Sequence, residues 1–185
     1  MAEYAIRTDC LRETVGALRA GDRVLLTGTV YTARDAAHKR LFDLLDKGAG
    51  LPLPIENSVI YYAGPTPGQQ GMAVGACGPT TASRMNSFAP RLLDLGLTAI
   101  IGKGEMSAEV QQAIIRNKAC YFAAVGGAGA LIAKCISRAE VIAFDDLGCE
   151  SIKRMTVENL PLTVAMDCHA GNLYLSGREE YSRLR

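Results

Sequence analysis

Extended and helical segments alternate over residues 11–144, and after Gly148 the alternation stops. Leu11, Val15 and Leu18 fall at i, i+4 and i+7, so residues 10–19 read as an amphipathic helix, with Gly21 as its left-handed stop. Residues 24–30 read as a strand. A second helix follows over 34–47, with Ala37, Leu41, Leu44 and Leu45 on one face and Gly48 closing it. Pro52 and Pro54 mark a connection, and short extended pieces come next at 58–63 and 72–76. A helical stretch over 81–95 leads to a buried strand at 98–101. Ser107 stands as the N-cap of a helix carrying Val110, Ala113 and Ile114. Residues 121–125 read as a strand, 130–136 as a short helix and 141–144 as another strand. The tail holds only closely spaced extended segments, at 152–157, 162–166 and 173–175, with no room for helices between them. Strands that alternate with helices require a partly parallel sheet, and the tail adds a few antiparallel strands to it. The expected class is α/β. No internal repeat or long linker divides the 185 residues, so a single domain over 1–185 is expected.

Composition removes several kinds of function. Twenty Lys and Arg against nineteen Asp and Glu leave a net charge of +1, so bulk charge does not draw the chain to nucleic acid. The longest apolar stretch without charge, residues 119–133, is fifteen residues with three glycines, short of the ~20 that a membrane helix needs. No membrane association is expected. The opening MAEYAIRTDC carries Glu3 and Asp9 and lacks an apolar run, so no secretory leader is read there. Six cysteines (Cys10, Cys77, Cys120, Cys135, Cys149, Cys168) are scattered without a CxxC or a Cys/His cluster, which points to reduced thiols and a cytoplasmic setting, with no metal bound by this chain.

Four segments place polar chemistry at strand ends. In GTVYTARDAAHKR a strand ends and Arg34 and Asp35 open the next helix, whose free N–H groups and positive end favour an anion. Arg34 adds a planar fork for a carboxylate or phosphate, or else pairs with Asp35 or faces water. In GPTTASRM, Thr80 and Thr81 begin a helix and Arg84 follows one turn on. This segment ends a 27-residue run without charge, residues 57–83, so Arg84 is the nearest fixed charge. Its two readings are a waiting anion site and a plain surface arginine, and the hydroxyls could merely cap the helix. IIGKGEM delivers Lys103 between two glycines, without the spacing of a P-loop. VGGAGAL is a glycine-rich strand-to-helix turn lacking the third glycine of a dinucleotide fingerprint, and tight packing explains it.

His38, four residues beyond Arg34, could orient that arginine or act as an acid, against the plainer readings of a helix-surface or satisfied histidine. His169 has no ligand partner at metal spacing, and Cys77 has no histidine or thiol cluster nearby to make it a nucleophile.

Taken in order, GDRVLLTGTVYTARDAAHKR, IYYAGPTP, GPTTASRM, IGKGEM, VGGAGAL and LGCESIKRMTVENLPLTVAMD closely resemble the β subunit of the two-subunit class I hydro-lyases. These are the iron–sulfur fumarate hydratases and L(+)-tartrate dehydratases, and the same module ends the single-chain class I fumarases. The resemblance covers about residues 21–175. It implies a swivelling three-layer β/β/α domain with a mixed sheet. It also implies an α subunit that carries a [4Fe–4S] cluster on three cysteines, an α2β2 assembly and a small dicarboxylate substrate. The family's substrate-contacting positions fall on Arg34, Thr80, Arg84 and Lys103: Thr80 as the catalytic base and the three cations as substrate binders. Asp35, His38 and Thr81 are supporting candidates around them. Asn86 stands where an acid is usual and Cys149 where a Met is common. Fumarate hydration is the first expectation and tartrate dehydration the second. A free-standing dicarboxylate binder, a nucleotide-dependent enzyme built on VGGAGAL and a structural subunit are the rivals.

Overall fold

The computed structural model describes residues 1–182. Seven strands form one mixed sheet among them: β1 (Glu3–Arg7), β2 (Arg23–Thr32), β3 (Val59–Tyr61), β4 (Ala99–Gly102), β5 (Cys120–Ala123), β6 (Ile136–Ala143) and β7 (Ile152–Met166). The helices are α1 (Leu11–Thr14), α2 (Asp35–Asp46), α3 (Ala89–Asp94), α4 (Ala108–Arg116), α5 (Gly129–Ala133) and α6 (Leu173–Ser182). Neighbours run in the order β1-β2-β3-β4-β5-β7-β6. The first five strands are parallel to one another, and β7 lies antiparallel to β5, β6 and β2. The additional β2–β7 pairing closes β2, β3, β4, β5 and β7 into a ring. The mixed α/β sheet is therefore as expected. The three-layer stacking implied by the resemblance is not established, because these strands pair around into a closed circuit.

Two long strands make the closure possible by serving several neighbours each. β2 pairs with β1 through Arg23–Thr27 and with β3 only through Tyr31 and Thr32, while β7 runs along its other side. The sequence segments 152–157 and 162–166 are one continuous strand, with β6 beside the first half and β5 beside the second. Pro161, which cannot donate to a ladder, falls between the last β6 partner at Val157 and the first β5 partner at Thr163, where one side of β7 is open.

Period-2 alternation divides the core in two. Val59 and Tyr61 pack with Ala99, Ile101, Cys120, Phe122, Val30 and Met155 in one buried cluster to which all five ring strands contribute. Ile60, Tyr62, Ile100 and Tyr121 point the other way, against Leu41 of α2, Leu92 and Leu93 of α3 and Val110 and Ile114 of α4. Each such Leu or Ile, fully buried, contributes about 1.5–3 kcal/mol over leaving it exposed. Both faces of β3–β5 are covered, which is why these strands read as unbroken apolar runs.

Several boundaries differ from the sequence reading. The opening segment forms β1, adding a parallel edge to β2. Residues 72–76 form no strand: Gly75 N–H donates to the Thr66 carbonyl and Thr66 N–H to that of Ala76, which folds the segment into a local loop. The helix expected at 81–95 breaks into a 3-10 turn, Ala82–Met85, and α3, where Pro90 occupies the first turn because it has no N–H to offer further in. The extended segment expected at 173–175 is the start of α6; Asn172 accepts the Tyr174 N–H at 3.0 Å through its side chain and so starts a helix there.

Candidate active site

The four sequence-derived segments all leave the C-terminal ends of the parallel strands, the side on which α/β sheets gather ligand-binding loops. β2 ends at Thr32, and Arg34 is the extended N-cap of α2. Beyond β3, the Tyr62 carbonyl accepts the Thr80 N–H at 2.6 Å, which seats the GPTT segment there. β4 ends at Gly102, and Lys103 follows. Its N–H donates to the Thr80 carbonyl at 3.2 Å, and its own carbonyl accepts the Ala82 N–H at 2.8 Å. Thr81 and Lys103 therefore sit side by side as a parallel bridge. Gly102 is required by this close approach: a Cβ there would lie 3.0 Å from the Ala82 Cβ.

Arg34 and Arg84 converge on one carboxylate. Asp35 Oδ2 lies 3.6 Å from Arg34 Nη2 and 4.0 Å from Arg84 Nη1, and Glu150 Oε1 lies 3.4 Å from Arg34 Nη2. None of these contacts is a hydrogen bond; Arg34 Nε and Asp35 Oδ2 are both buried atoms with no hydrogen-bond partner. The pairing of Arg34 with Asp35 weighed in the sequence reading is thus present, but it leaves the fork's donors unused. Lys103 is exposed, and no carboxylate among the described residues pairs with it. Its aliphatic stem runs past Gly126, where a Cβ would stand 3.5 Å from Lys103 Cδ. Thr80 is half-buried and Thr81 exposed. The arrangement offers cations and hydroxyls on one rim.

Buried tyrosines fasten the loops, and nothing in the sequence patterning singled them out. Tyr61 donates its hydroxyl to the Cys77 carbonyl at 2.8 Å, just before GPTT, and Tyr121 donates to the Gly104 carbonyl at 2.8 Å, just after Lys103. Burial pushes both phenols well above their usual range, so they remain neutral donors. The only available signal was that tyrosine, not phenylalanine, occupies strands otherwise fully apolar.

His38 is not on the helix surface. It is fully buried between Tyr62 and Phe88, ring centroids 5.3 and 5.5 Å away, and its Nδ1 lies 2.9 Å from the Arg34 carbonyl. A carbonyl only accepts, so Nδ1 carries the proton. Desolvation lowers its pKa to about 4, with partial opposition from the Arg34 hydrogen bond and the Asp35 charge. A histidine held neutral cannot serve as a cationic acid near neutral pH; it holds the backbone of Arg34 instead. Asn86 also acquires a role: its Oδ1 accepts the Ser107 N–H at 3.2 Å at the start of α4, a task for which amide and acid oxygens serve alike.

The VGGAGAL turn packs against protein backbone. A Cβ on Gly129 would lie 3.1 Å from Gly78 N, and the Gly129 carbonyl accepts the Cys77 N–H at 3.0 Å, so the turn is a brace for GPTT. Cys77 is buried, and burial pushes its thiol up to about 12, which leaves it a poor nucleophile. His169 is exposed, with Nε2 2.7 Å from the Gly16 carbonyl. Among the described residues no three His, Cys, Asp or Glu side chains are grouped to hold a metal ion, and no helix is long and apolar enough to cross a membrane.

With this geometry in hand, comparison with known proteins locates the chain. The sequence model of the fumarase C-terminus family matches residues 2–177. A Methanocaldococcus jannaschii protein provisionally named as the beta subunit of L(+)-tartrate dehydratase is 37% identical over 169 residues, covering 88% of this chain and 87% of that one. Fumarate hydratase 2 of Leishmania major is 35% identical over 168 residues, 90% of this chain but 30% of the relative. The aerobic class I fumarate hydratase of Salmonella typhimurium is 38% identical over 147 residues, 78% of this chain and 25% of the relative. The chain thus spans nearly all of the named subunit and under a third of each of these two fumarate hydratases. It belongs to the fumarase C-terminus family.

Proposed function

We propose that this chain is the β subunit of an iron–sulfur hydro-lyase that interconverts fumarate and malate in the cytoplasm, acting with an α subunit as α2β2. The observation that supports it most is the convergence of Arg34 and Arg84 on Asp35 Oδ2, at 3.6 and 4.0 Å, with their donors unspent. The described residues offer no thiolate set for a [4Fe–4S] cluster, since their cysteines are free and ungrouped. We assign the cluster to the partner and derive here only what this chain's side chains do.

Dehydration of malate removes a proton from the carbon beside one carboxylate and releases the hydroxyl as water. As that proton leaves, negative charge builds on the adjacent carboxylate. Fixed cations aimed at it are then worth most, about 3–4 kcal/mol for each preorganised donor. Arg34, Arg84 and Lys103 are assigned that task. An arginine fork suits the planar carboxylate, while Lys103 acts as a point charge. Thr80 acts as the alkoxide, its own hydroxyl proton already lost to solvent with the help of the cations assigned to the site; it takes the carbon-bound proton in dehydration and, as the hydroxyl, returns it in hydration. The carbonyl of Thr80 is tied to the N–H of Lys103, so base and cation share one support. Thr81, Asp35 and His38 support these groups without contacting substrate.

The near end-to-end match to a subunit named for tartrate dehydratase keeps L(+)-tartrate as the second substrate. Co-expression with an α subunit and assay on malate, fumarate and L-tartrate decide between them; the isolated chain is expected to be inactive on all three. In the assembled enzyme Thr80→Ala should lower kcat by roughly 10²–10⁴. A rate close to that of the parent removes Thr80 from the chemistry.

A further inference from the structure

Glu150 was not among the residues selected from the sequence, yet its carboxylate serves two parts of the site at once. Oε1 lies 3.4 Å from Arg34 Nη2, and Oε2 accepts the Ala36 N–H at 3.2 Å. Ala36 lies in the first turn of α2, where helix geometry leaves N–H groups without a partner. One side chain therefore caps the helix and faces the guanidinium at its entrance.

The segment that carries Glu150 is fastened to the end of β2. Thr32 Oγ1 donates to the Ser151 carbonyl at 3.3 Å and accepts the Lys153 N–H at 3.0 Å. Ser151 Oγ donates to the Gly148 carbonyl at 2.7 Å, and Lys153 Nζ donates to Ser151 Oγ at 2.6 Å. These bonds fix Glu150 relative to Thr32, two residues before Arg34. The guanidinium of Arg34 has no such hydrogen-bonded anchor among the described residues: its Nε is buried without a partner and Asp35 stands 3.6 Å away. Gly64 forms a third wall, for a Cβ there would come within 3.2 Å of Arg34 Nη1.

We propose that Glu150 is a positioning residue for Arg34, holding the guanidinium in the orientation that receives the substrate carboxylate. The inference rests on Arg34 as a substrate-binding group. Glu150→Gln keeps the size and an oxygen for the Ala36 N–H but removes the charge that faces Arg34. In the assembled enzyme it should lower kcat/KM about tenfold, mainly through KM. In an Arg34→Lys background the same change should cost less than about twofold, because the group it positions is gone. An unchanged kcat/KM, or an equal tenfold loss in both backgrounds, overturns the proposal. A second readout does not depend on turnover. In the full free chain labelled with ¹⁵N-arginine, the Arg34 Nε–H signal, identified by its loss in Arg34→Lys, should move in Glu150→Gln; a signal that stays in place overturns the clamp. If the parent complex processes neither malate nor tartrate, the functional reading fails and the spectrum alone decides the positioning role.

Discussion

Asp22 and Asp35 lie at opposite ends of the parallel strands and are treated in opposite ways. At the N-terminal end, Asp22 accepts the Ala2 and Arg19 N–H groups at 2.8 and 2.9 Å, and the Ala2 bond above all holds its carboxyl below the usual range. Nearby Asp167 takes the His169 and Gly171 N–H groups on one oxygen and that of Ala20 on the other, at 2.7–2.9 Å. At the C-terminal end, Asp35 Oδ2 makes no hydrogen bond and Arg34 Nε is orphaned, with cations held at 3.4–4.0 Å. Buried polar groups are nearly always satisfied; at the C-terminal end the unmet atoms Arg34 Nε and Asp35 Oδ2 belong to charged groups, whereas at the N-terminal end the unmet Thr98 Oγ1 belongs to a neutral one. The N-terminal carboxylates brace the fold, and the unmet charges at the other end are the groups proposed above to meet a ligand.

Substitutions at each end test that division. Asp167→Ala strips acceptors from three backbone N–H groups and should lower stability by about 3 kcal/mol, read by urea unfolding, while kcat of the assembled enzyme stays near the parent value. A lost kcat with unchanged stability would reverse the assignment of the two ends. His38 sharpens the contrast, since it is a buried group on the site side. Its pKa is depressed from 6.5 to about 4, so the unfolded chain binds a proton that the folded chain refuses. Stability should therefore be full above pH 6.5 and fall as pH drops through that window, by about 3 kcal/mol at its lower edge. His38→Gln should remove that part of the slope in unfolding curves taken across the window, and an identical slope in both proteins would show that the ring is not excluded from protonation. The smallest effect is expected for Arg84→Lys, which keeps the charge and loses the fork. A drop of about tenfold in kcat/KM, about 1.4 kcal/mol, with unchanged unfolding, fits a carboxylate-binding role; unaltered kinetics make Arg84 a surface residue.

Much of the architecture was readable because periodicity reports burial. Leu11, Val15 and Leu18 are buried as their spacing requires, although α1 itself is only four residues flanked by 3-10 turns. Val110, Ala113 and Ile114 line the buried face of α4. The reading failed where a local device outweighed pattern: Pro90 restarting a helix after the 82–85 turn, or Asn172 starting α6 in a segment read as extended. At the site, the segments carrying Arg34, Thr80, Arg84 and Lys103 were legible as polar strand ends, and the family resemblance is what singled out those four residues. Glu150, Tyr61 and Tyr121 did not, because each acts on a partner distant along the chain.

Local chemistry in the chain was enough to set the class of fold and the strand ends where the polar segments gather. Only the tertiary structure decided that β7 returns to β2 and closes the ring, that His38 is dry, and that Glu150 meets Arg34. The reason is physical: side-chain periodicity encodes which face is buried, whereas pairing between residues more than a hundred positions apart depends on how the closed sheet brings its loops together.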